Sequence, residues 1–256
     1  MQPTLLTPDW VPSKTAVLEV FHHVFVAARV RNEPMQPRGA SDKEFFAQDW
    51  FQHRLVETGY PWRISGRNTY PDFWLDVDGV PEGYEVKSLA LNPRGQPARI
   101  DFDANSSIPS GVRASAQILI AFFLYTGARD APREVHSLVL FHGDLLNDER
   151  ELVHQNLAIR GFGSYGDAFI RDRKMYVFKT PFAIDPSSLG HLRLIVPTEW
   201  ALQDSRVVKI GTITRTIASE RLREYRVDLY QHVVTAVTAA DPRAGQVRTF
   251  DVFEHT

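Results

Sequence analysis

Two apolar runs near the middle of the chain, Ile118 to Tyr125 and Val135 to Phe141, constrain the fold more than any other feature. Most of their residues are β-branched, leucine or aromatic, and each run is about one strand long. A strand with one wet face alternates apolar and polar residues, whereas an unbroken apolar run suits a strand covered on both faces. Material must then lie above and below these two strands. Neither run is long enough to span a bilayer.

The flanking sequence supplies both kinds of cover. Lys14 to Val30 reads as a helix with Leu18, Val20, Phe21, Val24 and Phe25 on its apolar side. Ser41-Asp42-Lys43-Glu44 is a capping-box pattern that starts a second helix through Phe45, Phe46, Trp50 and Leu55, and Gly59 with Pro61 stops it. Phe73, Leu75 and Val77 alternate with polar or amphipathic neighbours, which is strand periodicity. Gly79 to Gly83 is turn-rich, and Tyr84 to Leu91 reads as the returning strand. Asp101 to Gly111 is expected to be a polar loop, with helix around Val112 to Gln117. Further on, the reading expects helix over Asp148 to Arg160 and strands over Ala168 to Phe178, Leu192 to Val196 and Val207 to Ile217. A last long helix is expected over Ser219 to Ala239, with Leu222, Tyr225, Leu229, Val233, Val234 and Val237 as its stripe. The order describes an α/β protein, a mixed central sheet flanked by helices, in a single domain over 1–256.

Composition narrows the chemistry. With Lys plus Arg at 29 and Asp plus Glu at 31, the formal net charge is -2, which excludes a bulk polycation but leaves room for a local basic groove. The absence of cysteine removes disulfide frameworks, thiolate zinc sites and cysteine nucleophiles together. Met1 to Trp10 has neither a basic start nor a signal-length apolar stretch, so a cytoplasmic location without membrane contact is expected. No Gly-x-Ser-x-Gly elbow or Gly-Lys-Ser/Thr phosphate loop is present. Gly161 to Gly166 fits G-x-G-x-x-G, yet it follows an expected helix and precedes an expected strand, the reverse of a cofactor loop. His136 and His142 mark opposite ends of one strand, and His22 and His23 face different ways on a helix; all four read as structural.

The informative segment is Pro71-Asp72, then, after twelve intervening residues, Glu85-Val86-Lys87. On a strand Glu85 and Lys87 share a face while Val86 points into the core. A hairpin can bring Asp72 beside Glu85, and two such carboxylates repel unless a cation lies between them. Hard oxygen ligands with room for retained waters suit Mg²⁺. A nearby lysine can hold the attacking water and offset phosphate charge, which completes the parts for metal-assisted phosphodiester hydrolysis. The plainer alternative is a turn aspartate and a surface Glu–Lys pair, which would contribute little.

This segment resembles the catalytic hairpin of the PD-(D/E)XK nuclease superfamily, to which most type II restriction endonucleases belong, over about Ser41 to Asn147. The resemblance implies a restriction-endonuclease-like catalytic core over about 41–147, with 148–256 adding strands and a helix for DNA binding or dimerisation. It makes Asp72 the motif's Asp, Glu85 its second acid, Lys87 its lysine, and the Val86 carbonyl a further metal ligand. The family often takes another acid from a preceding helix, where Glu44 sits, although a capping-box role would turn that side chain away. It implies a Mg²⁺-dependent enzyme that cuts double-stranded DNA as a homodimer, with a cognate methyltransferase acting on the same site. Arg94, Arg99, Asn105, Ser106, Ser107 and Arg113 are the expected DNA contacts near the site, and Arg171, Arg173 and Lys174 those in a later basic segment; Arg206 and Lys209 belong to a third basic group. A repair or junction-cleaving nuclease with the same core, and a non-catalytic DNA-binding domain, are the other readings.

Overall fold

The computed structural model describes residues 14–39, 42, 45–65, 71–97, 101–105, 117–127, 131–143, 145, 152–154, 169–171, 173–177, 188–216, 221–228, 233–240, 245 and 247–256. Two α-helices, α1 (Val17–Phe25) and α2 (Phe45–Glu57), precede the strands. In chain order the strands are β1 (Trp62–Ile64), β2 (Phe73–Val77), β3 (Val80–Ala90), β4 (Asp101–Asn105), β5 (Gln117–Thr126), β6 (Glu134–His142) and β7 (Leu152–His154). There follow β8 (Phe169–Arg171), β9 (Arg173–Val177), β10 (Leu192–Pro197), β11 (Val207–Thr216), β12 (Arg221–Asp228), β13 (Val233–Ala240) and β14 (Val247–His255).

Eight of them form one sheet in the order β1-β2-β3-β5-β6-β10-β14-β11. The pairs β3–β5 and β6–β10 are parallel and the others antiparallel, so the sheet is mixed and the class is α/β. The two apolar runs are its central strands β5 and β6, and they are buried on both faces. Leu119, Ala121, Phe123, Leu138 and Leu140 join one core cluster, while Ile120, Phe122, Leu124, Val139 and Phe141 join another. This is the period-two division that a doubly covered strand requires. Helices α1 and α2 cover the first face, through Val17, Val20, Phe21 and Val24 and through Phe46, Trp50, Phe51 and Leu55.

Several anchors fix α2 in place. The Asp42 carboxylate accepts the Phe45 amide at 2.9 Å and so caps the helix; Ser41 and Glu44 lie outside the described residues. Arg54, buried beneath Trp50, donates to both Glu33 oxygens at 2.9 and 2.8 Å. Arg133 stacks its guanidinium on Phe46 at 3.8 Å. At the far end Gly59 takes φ +76°, a left-handed stop that a side chain would oppose. Beyond α1 the chain continues as a short π-helical turn, Val26–Val30.

The structure corrects five expectations. Gly79 to Gly83 is not the turn: Asp78 and Gly79, at φ 53° and 85°, make a two-residue connection, and β3 begins at Val80. Asp101 to Asn105 is not loop but β4, paired with β9. Within the expected helix over Asp148 to Arg160, Leu152–His154 is strand β7. The expected single strand over Ala168 to Phe178 is two, β8 and β9, in different sheets. The expected final helix is the β12–β13 pair, with Tyr225 opposite Ala236 and Arg221 opposite Ala240. Its second half, Val233-Val234-Thr235-Ala236-Val237-Thr238, is β-branched enough to favour an extended chain over the helical spacing of its apolar residues. The segment over 112–116 lies outside the described residues, and Gln117 already belongs to β5. Strand β14 had no counterpart in the sequence reading.

Among the described residues, no helix is long and apolar enough to cross a membrane.

Candidate active site

The β2–β3 hairpin builds the site by being uneven. Phe73, the first residue of β2, pairs with Tyr84, so β3 runs on past the end of its neighbour. Its other edge is fully paired to β5, with Glu85 opposite Ile120 and Lys87 opposite Phe122. On the vacated edge the Asp72 carboxylate takes the place of backbone: its Oδ2 accepts the Val86 amide at 2.8 Å. A residue's N–H and C=O project to the same side of a strand, so the Val86 carbonyl faces this edge as well. The Val86 side chain, 3% exposed, goes into the helix-covered core as expected.

Glu85 closes the arrangement from the other direction. Its Oε2 accepts the Asp72 backbone amide at 3.1 Å, and its Oε1 pairs with Lys87 Nζ at 2.8 Å. The Asp72 carbonyl is held by the Ser65 amide at 2.9 Å. Asp72, Glu85, Val86 and Lys87 therefore meet at one place, with Glu85 touching both the aspartate and the lysine. The Glu85 side chain is 8% exposed and that of Lys87 23%, so the pair sits at a partly covered rim. Removing one partner of a pair so placed costs more than losing a surface contact, because the other charge stays largely buried.

Gly83 makes the approach of Pro71 and Asp72 possible. A Cβ there would stand 2.7 Å from Pro71 Cγ and 2.4 Å from Ile118 Cδ1. Only a residue without a side chain lets the Pro71 ring lie against β3.

A further residue reaches the site from α2. Gln48 Nε2 donates to Asp72 Oδ1 at 3.1 Å. The sequence reading looked to this helix for a further acid at Glu44, set against a capping role, and missed Gln48; the available signal was spacing, since residues four apart share a helix face. Glu44 itself lies outside the described residues.

The other acid of β3 belongs elsewhere. Glu82 is buried on the opposite face, accepting the Thr15 hydroxyl at 2.6 Å and the Ala16 amide at 3.3 Å and bonded to the Tyr84 hydroxyl. Burial pushes its carboxyl above the ordinary value, and burial with the neighbouring Glu82 pushes the Tyr84 hydroxyl up.

The expected DNA contacts are scattered. Arg94 is exposed in the turn that follows β3, its amide bonded to the Asn92 side chain at 2.9 Å. Asn105 of β4 stands in register with Arg173 of β9, next to Lys174, which pairs with Ala104. Arg171 is in another sheet, on β8, opposite Glu224. Arg99, Ser106, Ser107 and Arg113 lie outside the described residues, as does Gly161 to Gly166. In the third basic group, Arg206 is bonded to Glu19 at 2.9 and 2.6 Å and to Asp204, and Lys209 pairs with Asp251 at 2.8 Å. Charges neutralised inside the chain are poor candidates for phosphate contacts. Of the histidines, His22 meets His255 at 2.9 Å while His23 meets Glu57 at 3.5 Å, and His142 packs edge-on against Trp200.

Among the described residues, no group of three or more His, Asp or Glu side chains converges to hold a metal. The set at the hairpin is two carboxylates and a backbone carbonyl, all hard oxygen donors. That set fits Mg²⁺, which keeps most of its waters and takes one or two carboxylates from a protein.

The chain matches no family model and no curated protein sequence.

Proposed function

We propose that the chain is a Mg²⁺-dependent endonuclease of double-stranded DNA, of the type II restriction class, built on a restriction-endonuclease-like core and acting as a homodimer. One observation carries the reading: Asp72, Glu85 and Lys87 are joined at the edge of β3 that β2 vacates. The uneven hairpin beside two doubly covered strands, with α2 behind it, is the setting such a core needs.

The residues divide the work by chemistry. Asp72, Glu85 and the Val86 carbonyl would hold the ion, which when bound polarises a phosphodiester and acidifies a water. Lys87 presents a compact ammonium beside Glu85, suited to holding the attacking water and to offsetting charge on the phosphate. Two-fold pairing of such chains would place two sites on the two strands of a palindrome.

The experiment is incubation of the full chain with supercoiled plasmid and Mg²⁺, followed by sequencing of the ends. Cuts at one short sequence, lost in excess EDTA and in Glu85→Gln, are the expected result. Ends confined to branched or damaged DNA would assign the same core to a repair nuclease. Plasmid left uncut by wild-type protein across a range of divalent ions would overturn the reading.

A further inference from the structure

The Asp72 carboxylate is gripped at both oxygens by two different elements. The Val86 amide takes Oδ2 from β3, and the Gln48 side chain takes Oδ1 from α2. Two bonds from two directions, one to each oxygen, fix the plane of the carboxylate. A carboxylate only accepts, so Gln48 must present its NH₂ group to it.

Gln48 also sits on a firm base. Its neighbours Phe46, Ala47, Trp50 and Phe51 are buried, and the Asp42 cap and the Arg54–Glu33 bonds hold both parts of the helix. The half-buried Gln48 side chain thus bridges the helix layer to the acid on the sheet's edge. A glutamine at this point adds no charge. An acid so close to Asp72 would repel it, whereas the amide donates to it and orients it.

We propose that Gln48 is the positioning residue of this centre: it holds Asp72 in the orientation in which its carboxylate, together with Glu85, receives a divalent cation. The inference rests on the reading of the hairpin as a metal centre, and the effect belongs to the class of contacts that orient a metal's ligands without touching the metal.

The test is a calorimetric titration of the full chain with Mn²⁺ alone, beside thermal unfolding of each metal-free variant. Wild type should bind Mn²⁺ and Asp72→Asn should not. Gln48→Met keeps the length and helix propensity of glutamine but has no donor. It should bind about 10-fold or more weakly, while its metal-free unfolding temperature stays close to wild type. Gln48→Asn keeps an amide but withdraws it by one methylene, and should weaken binding in the same way; a merely solvating role for Gln48 would survive that change. Wild-type protein that does not bind Mn²⁺ would remove the metal centre itself and this inference with it. Wild-type binding accompanied by equal affinity in Gln48→Met or in Gln48→Asn would overturn the role of Gln48 alone.

Discussion

The carboxylate of Asp72 and the backbone amide of Val86 lie 2.8 Å apart, so a side chain completes a ladder position that β2 does not reach. Asp72 is thereby structural as well as chemical, and its substitutions should separate the two roles. Asp72→Asn retains an oxygen for the amide and should fold with near wild-type stability, yet lose metal-dependent cleavage. Asp72→Ala leaves the Val86 amide unsatisfied and should cost about 1–3 kcal/mol in addition. Urea unfolding beside a plasmid assay measures both; an alanine variant as stable as wild type would show the bond to be idle.

Lys87 asks more of the nuclease reading than the acids do. Lys87→Ala should slow single-turnover cleavage of pre-bound DNA by about 10²-fold or more, the scale of one lost proton-transfer or electrostatic contribution. Specific DNA affinity should survive, because one charge is a small share of a large interface. Lys87→Arg should restore little, since a planar guanidinium does not replace a compact ammonium. A Lys87→Ala protein that cuts at the wild-type rate would leave the lysine as no more than a partner for Glu85.

Gly83 is predicted to be intolerant of even one methyl group. The Ile118 methyl that a new Cβ would meet at 2.4 Å ends a flexible side chain, but the Pro71 ring at 2.7 Å is rigid. Gly83→Ala should therefore displace Pro71 and Asp72 together, with a cost of about 1–3 kcal/mol for overpacking. Cleavage should fall further than stability alone explains, as read at a temperature where the variant is fully folded.

Glu82 should tilt stability with pH in a known direction. Its folded carboxyl lies above the ordinary value of 4.5, so between that value and the raised one the folded chain holds a proton that the unfolded chain has released. Stability from this group is present below pH 4.5 and falls as pH rises through the folded value. Glu82→Gln, whose amide can satisfy the same Thr15 and Tyr84 hydroxyls, should flatten that fall. Urea midpoints collected across the acid-to-neutral range decide it, and an unchanged slope would contradict the assignment.

DNA affinity should fall steeply with salt if basic side chains displace counterions. Within that dependence Arg94 and Arg206 should differ. Arg94 is exposed beyond the strand that carries Glu85 and Lys87, and Arg94→Ala should reduce both affinity and salt slope. Arg206 is committed to Glu19 and Asp204, the latter held down at about 2 by that contact. Its replacement should weaken folding in mild denaturant and leave the salt slope unchanged. Fluorescence anisotropy with a duplex oligonucleotide at several salt concentrations distinguishes the two residues.

Much of the sheet's interior was legible because the relevant signals are local. Alternation at Phe73, Leu75 and Val77, and the largely apolar runs of β5 and β6, state in a few residues which faces are covered. The same parity argument placed Glu85 and Lys87 together and Val86 opposite. The β12–β13 pair was misread because Leu222, Tyr225, Leu229 and Val233 satisfy a helical spacing, while strand pairing of Tyr225 with Ala236 leaves no trace in a one-dimensional window. Strand β4 was missed for a related reason, since its partner β9 is remote in sequence. Gln48 escaped notice because a neutral amide advertises no chemistry. Only the docking of α2 against the sheet brings it to Asp72.

The strand order also dictates a schedule. Strand β11 finds its place in the large sheet only through β14, which is made after it and lies between it and β10. As the polypeptide leaves the ribosome, Val207–Thr216 must wait for the last strand before it can join, and Val208 and Ile210 remain at an exposed position even after it does. The nascent chain thus passes through an interval in which a ten-residue strand carrying Val207, Val208, Ile210 and Ile213 has both edges open to the large sheet's other strands or to another copy of itself. The intervening β12–β13 hairpin lengthens that interval, making the C-terminal quarter of the protein the stage at which crowding or slow translation would most readily divert it into aggregates.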